Sequence, residues 1–373
     1  MKKFFVLVML LVVGSALVGC QKDDTIGFGV IGPFTGSLSS YGEAVRKGVV
    51  LAVEEINRDG GVLGKQVVLY DEDDEGEGAQ ALAAFGRIAN KIDVLIGEVT
   101  SGNSKIIAAE AEDNHTPMIS PSATDAAVTE DREYIFRACF LDPDQGIAMA
   151  KFSAEDLEAT KVAVIYDTSD TYSKGVAEAY RGEALRVGLE VVMFDGGFRP
   201  ADTDYSSLIT TLNGLDVDVV FAPVYYEQAS VFITQFRNSG NEIPVLGADG
   251  FDGIMTVSGV NPAKIDNVYF SNHYLASDLD NTRLQAFITA YQAKYEETPN
   301  AFSALGYDAT YIAAAAIREA GNLDPIAIKD ALTVLTYVGV TGSFQFNETG
   351  NPEKGITIVK YVQGVMEKAK VLE

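Results

Sequence analysis

Short apolar runs of strand length alternate with helix-period segments along this chain. Most of the strand-length runs stop at small hydroxyl, glycine, aspartate or tyrosine residues. Such alternation predicts parallel sheets covered by helices, because a parallel strand pair needs a long crossover, usually a helix. The stretch 96–124, IGEVTSGNSKIIAAEAEDNHTPMISPSAT, shows the unit most clearly. Apolar runs at Val94–Ile96 and Met118–Ile119 flank a helix carrying Ile106, Ile107 and Glu110. The first run leads into Thr100, Ser101 and Ser104, the second into Ser120, Ser122 and Thr124. Ser101 reads as the helix N-cap. Free N–H groups at a helix start, beside hydroxyls, suit a carboxylate or phosphate. In an open parallel sheet, ligands sit outside the carboxyl ends of the strands, so both clusters are expected to face one crevice. Ser and Thr are also common in loops and caps, which leaves a purely structural reading open for this stretch alone.

The alternation starts at Thr25–Ile31. A formal GxGxxG, Gly27 to Gly32, lies inside that strand rather than between strand and helix, so it is not a dinucleotide fingerprint. Val45, Val49, Ala52 and Ile56 form the apolar stripe of the first helix, which Asp59-Gly60-Gly61 ends. A strand at Val67–Tyr70 meets five acids, Asp71–Glu75. A calcium loop needs alternating acids and one at the twelfth position, where Leu82 stands, so a solvated acidic turn is expected. A helix over 79–91 should bury Leu82, Phe85 and Ala89. Tyr134–Ala138 is the next strand. Leu141–Gly146 breaks the pattern and reads as a crossing between domains.

A second series follows. Its strands are Val162–Tyr166, Val191–Phe194, Val217–Ala222 and Val245–Leu246. Its helices lie over 173–187 and 205–212, with a third burying Ala229, Phe232, Ile233 and Phe236. Two βαβα series predict two parallel-sheet α/β lobes. A strand at Val268–Ser271, helices over 281–296, 303–320 and 325–335, and strands at 343–346 and 356–362 complete the chain. Periodicity does not assign these to a lobe, and no internal sequence repeat is visible.

The 373 residues suffice for two domains, and 47% hydrophobic content supports a sizeable core. A formal charge of −25 argues against nucleic acid as partner. At the N-terminus, Lys2 and Lys3 precede an apolar run, Phe4–Val13, and then Leu17-Val18-Gly19-Cys20. The run is short for a membrane span and reads as a signal peptide. Its end resembles the lipobox of bacterial lipoproteins. Residues 1–19 are therefore expected to be removed, with Cys20 acylated and the protein held at the periplasm or cell surface. With Cys20 modified, Cys139 has no disulfide partner. Two cysteines and two distant histidines make neither a zinc site nor another cofactor site expected. His115 reads as a helix-end residue before Pro117. His273 reads as a surface strand end, with a weaker claim to a pocket edge. GxSxG, HExxH and P-loop motifs are absent, and no catalytic residue is assigned.

Residues just past strand ends form a candidate site: Ser101, Ser122 and Thr124 in the first series, Tyr172, Tyr225 and Asp249 in the second. Hydroxyls and helix N–H groups can take a carboxylate, and an aspartate beside tyrosines can take an ammonium. As a set they would hold the head group of an α-amino acid between two lobes. Taken singly, the tyrosines could be interlobe packing and Asp249 an Asx-turn residue.

Six segments carry a resemblance to a known family: IGPFTGSLSSYGEAVRKGVVLAVEEINRDGGVLGK, VLIGEVTSGNS, PMISPSATDAAVT, FRACFLDPDQG, VAVIYDTSDTYSKG and FSALGYDATYIAAAAI. The chain resembles the branched-chain amino acid group of solute-binding proteins of ABC importers, of the type I periplasmic fold. The resemblance implies two lobes joined by a three-strand hinge, one at 24–142 plus 273–348, the other at 143–272 plus 349–373. It implies that Ser101 and Thr124 bind the ligand carboxylate through backbone N–H groups. The Ser122 carbonyl, the Thr124 hydroxyl and Asp249 would bind the ammonium. Tyr41 and Phe302 would line the side-chain region, and Tyr172 and Tyr225 would close over the ligand. Two departures from one member of the family stand out: that member has Glu where this chain has Asp249, and its first-lobe disulfide cannot form here. The implied function is a monomeric, lipid-anchored, non-enzymatic receptor delivering an aliphatic amino acid to ABC permease subunits. A ligand-sensing subunit for an amino acid or amide, coupled to a signalling partner, is the alternative. An extracytoplasmic enzyme on an amino acid derivative has no motif behind it.

Overall fold

The first strand, β1 (Thr25–Gly32), is buried along nearly its whole length, as a central strand of a sheet covered on both faces must be. The computed structural model describes residues 25–199, 202–276 and 281–372. The segment 1–19 expected to be a signal peptide, Cys20 and residues 21–24 lie outside the described residues. From β1 the chain passes through α1 (Ser39–Arg58), β2 (Gln66–Asp73), α2 (Gly78–Ile88), β3 (Val94–Ile96), α3 (Ser101–Asp113), β4 (Met118–Ser120) and β5 (Ile135–Arg137). These five strands form one wholly parallel sheet in the order β2-β1-β3-β4-β5. Val45, Val49, Ala52 and Ile56 of α1 are buried, as their spacing predicts.

The second series runs α4 (Asp142–Glu155), β6 (Lys161–Asp167), α5 (Thr171–Arg186), β7 (Glu190–Phe198), α6 (Ser206–Asn213), β8 (Val219–Phe221), α7 (Tyr226–Asn238), β9 (Val245–Gly247) and β10 (Val268–Asn272). Its parallel strands take the order β7-β6-β8-β9-β10, the order of the first sheet, although no sequence repeat betrays it. The chain then contributes α8 (Thr282–Tyr295), α9 (Ala301–Ala320), α10 (Pro325–Val334) and a hairpin of β11 (Thr336–Val338) and β12 (Ser343–Gln345). It returns to the second sheet as β13 (Ile356–Val362) and β14 (Val365–Leu372), both antiparallel to their neighbours.

The fold is therefore two Rossmann-like α/β lobes, crossed by the chain three times: after β5, after β10 and after β12. Backbone proximity places α9 beside α1. A Cβ on Gly48 would lie 2.0 Å from the Ser303 carbonyl oxygen, and one on Gly306 would lie 2.5 Å from that of Val45. Only glycines let the two helices approach so closely, and periodicity carries no trace of which partner α9 meets.

Several expectations need correction. The acidic run is not a solvated turn throughout: Asp71–Asp73 extend β2, and Asp74 is fully buried beside Glu98. Asp73 also ties down the loop after β1, accepting the Phe34 N–H at 2.9 Å and the Thr35 hydroxyl at 2.6 Å. In α2 the buried face is Ala81, Ala84, Phe85 and Ile88; Leu82 stands on the flank of that face and is exposed. Residues 142–146 do not break the pattern. They open α4, with Pro143 in its first turn, where the missing N–H is harmless, and Asp144 accepting the Leu141 N–H at 3.1 Å. His115 does stand at the helix end, as expected, one residue beyond the α3 C-cap, Asn114, in the left-handed region at φ 52°. His273 is buried rather than at a surface strand end.

Candidate functional site

Tyr41, Ser101, Ser122, Thr124, Tyr172, Tyr225, Asp249 and Phe302 all line one small cavity, together with Val99, Thr100 and Gly250. It lies between the lobes, past the carboxyl ends of β3, β4, β8 and β9, at the switch points that this strand order creates.

The first-lobe wall is built from the turns after β3 and β4. Thr100, not Ser101, is the N-cap of α3, and Ser101 is its first helical residue. The cap is made from behind. Glu98 Oε2 accepts the Thr100 N–H at 2.7 Å and the Thr100 hydroxyl at 2.9 Å. Burial, reinforced by the facing Asp74 carboxyl, pushes Glu98 well above the usual carboxyl range. A neutral Glu98 can cap the helix without placing a negative charge where an anion would sit. The two turns are laced together. Ser120 donates to the Glu98 carbonyl and Ser122 to the Val99 carbonyl, both at 2.7 Å, and the Ser101 hydroxyl accepts the Asp125 N–H at 3.3 Å. Buried Arg137 donates to the carbonyls of Ala123 at 2.6 Å and Asp125 at 2.9 Å, which fixes the loop around Thr124.

The second-lobe wall follows β6, β8 and β9. Asp249 starts a short 3₁₀ turn. Its N–H donates to Gln145 Oε1 at 2.9 Å, and its Oδ2 lies 3.2 Å from His273 Nε2. Its other oxygen, Oδ1, is buried without a hydrogen-bond partner. The Tyr172 hydroxyl accepts the Gly250 N–H at 2.9 Å, and its ring stacks on Tyr225 at 5.0 Å. Burial pushes both phenols well above their ordinary range, so they serve as neutral hydrogen-bonding groups.

Tyr41 bridges the two walls. From α1 its hydroxyl donates to the Gly250 carbonyl and accepts the Tyr226 N–H at 3.0 Å. Its ring stacks on Phe302 at 4.2 Å. The Tyr226 hydroxyl donates in turn to the Ser37 carbonyl at 2.7 Å, and Ser40 pairs with Thr256 at 2.8 Å. These bonds cross from lobe to lobe, so the cleft is closed.

Thus one wall offers helix N–H groups and hydroxyls, the other an unpaired carboxylate oxygen, and aromatic rings flank the space between. That suits a small zwitterion with an apolar side chain. A roomier cleft nearby, lined in part by Asp252, Met255, Tyr274 and Met366, lacks this pattern. There Asp252 Oδ2 already accepts the Ala301 N–H at 2.8 Å and the Asn272 amide at 3.2 Å. Among the described residues no cluster of His, Cys, Asp and Glu could hold a metal ion.

Residues missed from sequence are Val99 and Gly250 on the lining, and Glu98, Gln145 and Arg137 behind it; Thr100 belonged to the first hydroxyl cluster, and His273 behind the lining had only the secondary reading of a pocket edge. The rule that gathered the other residues, a place just past a strand end, also covers His273 after β10.

The fold and the site define a two-lobed binding protein. The chain matches the family described as periplasmic binding protein over residues 25–365, and it belongs to that family. It is accordingly an extracytoplasmic solute-binding protein and not an enzyme. The Leu/Ile/Val-binding protein homolog 3 of Brucella melitensis is 32% identical over 337 residues, covering 87% of this chain and 88% of the relative. The leucine-, isoleucine-, valine-, threonine-, and alanine-binding protein of Pseudomonas aeruginosa is 30% identical, covering 88% and 87%. Among solved structures, the branched-chain amino acid transporter substrate-binding protein LivJ of Streptococcus pneumoniae, in complex with isoleucine, superposes with a TM-score of 0.89 at 34% identity. The match covers 93% of this chain and 99% of that one.

Proposed function

We propose that this protein captures an α-amino acid with a branched aliphatic side chain between its lobes and delivers it to the permease of an ABC importer. The observation that carries this reading is the buried, unpaired Oδ1 of Asp249 across a closed cavity from the α3 N-terminus. An ammonium against that oxygen and a carboxylate against the helix start would satisfy both walls at once. Thr124 and Ser122 would support the head group from the first lobe, and Ser101 would give its N–H to the carboxylate. Tyr41, Phe302, Tyr172 and Tyr225 would enclose the aliphatic chain. Relatives that bind leucine, isoleucine and valine support the same cargo. The lobes in this reading comprise 24–142 plus 273–348 and 143–272 plus 349–373, and ligand affinity for the closed arrangement drives their closure. The mature protein is a monomer held to a membrane by acylated Cys20.

The test is a thermal-shift screen of the mature, unlipidated protein, stripped of co-purified ligand, against the amino acids and common amides. A ligand at a hundred times its Kd stabilises by about 2.7 kcal/mol. Shifts confined to leucine, isoleucine and valine are expected. A shift with an amide alone, or none, overturns the cargo assignment.

A further inference from the structure

Asp249 has a short side chain, so its aim into the cavity matters. The side chain of His273 is 1% exposed, and its Nε2 lies 3.2 Å from Asp249 Oδ2. The ring is itself held. It stacks face to face on Phe140, with centroids 3.7 Å apart and planes 16° from parallel, and its backbone N–H donates to Asn272 Oδ1 at 2.8 Å. Phe140 lies on the first crossing between the lobes and His273 on the second. Lys354, on the third, donates to the Ala138 carbonyl at 3.1 Å.

We propose that His273 is a positioning residue for the ligand amine: its Nε2–H holds Asp249 Oδ2 and thereby presents Oδ1 to the cavity. The inference rests on the reading that Asp249 receives the ammonium. Only the tautomer protonated on Nε2 makes this bond, since two lone pairs facing each other would repel. Burial lowers the imidazole pKa to about 4, against the pull of Asp249 and with Lys354 adding to the depression. The ring is thus neutral at neutral pH. A cation at this place would neutralise Asp249 and compete with the ligand's ammonium. A neutral donor orients the carboxylate and leaves its charge for the ligand. Stacking on Phe140 also ties the carboxylate to two of the three crossings, so it is aimed by the hinge rather than by its own loop alone.

The test compares leucine with 4-methylpentanoate, its analogue without the amine, by calorimetry and by competition. His273→Phe keeps the ring stack and removes the donor; His273→Gln keeps an N–H donor. Leucine affinity is expected to fall 10-fold or more in His273→Phe, while 4-methylpentanoate changes by less than about 2-fold. His273→Gln should recover most of the loss. Equal weakening of both ligands, or unchanged leucine affinity, overturns the proposal. Asp249→Asn separates the two levels of the argument. If it too leaves leucine binding intact, the amine-site reading fails. If it weakens leucine and His273→Phe does not, only the role of His273 fails. Nitrogen-15 spectra of the wild type give a measurement independent of folding in the variants, with His115→Gln assigning the two imidazoles. Nε2 of His273 should carry the proton at pH 7, and a proton on Nδ1 instead overturns the proposal.

Discussion

The first-lobe wall presents N–H groups and hydroxyls on two turns, with Glu98 and Arg137 bracing them from behind. The second-lobe wall presents Asp249 and two stacked tyrosines, braced by Gln145 and His273. In each wall a buried titratable group stays neutral behind the groups that face the cavity, and burial acts on the two in opposite senses. The Glu98 carboxyl is pushed up, toward its protonated form; the His273 imidazole is pushed down, toward its unprotonated form. The contrast teaches how a cavity can be tuned for a zwitterion: each braced wall keeps one sign of partial charge unopposed, and the compensating charge arrives with the ligand.

The strongest way to break this comparison is to remove the Asp249 carboxylate. Asp249→Ala should weaken leucine binding by about 2–5 kcal/mol, the usual loss when one partner of a buried charged pair is truncated. Calorimetry showing undiminished affinity would falsify the division of labour between the walls. The bracing groups make a second contrast through pH. The folded protein holds His273 neutral down to about pH 4, whereas the unfolded chain protonates near 6.5, so acidification across that window destabilises the fold by up to about 3 kcal/mol. His273→Gln lacks this loss and should gain stability relative to wild type as pH falls from 6.5 to 4. Glu98 has the opposite sign. Its folded form binds a proton that the unfolded chain has released above pH 4.5, so acidification toward 4.5 stabilises the fold. Glu98→Gln should therefore lose stability relative to wild type over the same descent. Melting curves of the two variants that diverge in the same direction would contradict the assignment.

Thr124→Val sharpens the comparison from the first lobe. Loss of a hydroxyl bond to a charged group should cost about 1.5–3 kcal/mol of leucine affinity. If Thr124 and Asp249 hold the same ammonium, the double variant should fall short of the summed single losses; strict additivity would separate the two residues. The smallest effect belongs to the bridge between the walls. Tyr41→Phe keeps the ring against Phe302 but removes the bonds to Gly250 and Tyr226. A loss of about 1 kcal/mol is expected, read as weaker affinity and a more open ensemble in small-angle scattering of the ligand-free protein.

Strand-end position alone brought together Ser101, Ser122, Thr124, Tyr172, Tyr225 and Asp249, because a parallel sheet delivers all its carboxyl ends to one edge. Tyr41 and Phe302 came instead from the family resemblance. Neither follows a sheet strand directly: Tyr41 reaches the cavity from α1, and Phe302 from α9, a helix whose lobe periodicity left unassigned and only the resemblance implied. Alternating apolar runs and helix-period stripes, set by local backbone geometry, determined the two α/β lobes and most element boundaries. Position within the fold decided the rest. The glycines that seat α9 on α1, the burial of Asp74 and the neutrality of Glu98 depend on contacts with distant segments. So does the bond from His273 to Asp249, between residues 24 apart. Helix and strand follow from neighbours along the chain; desolvation and pairing arise only when the folded molecule excludes water from groups the chain keeps apart.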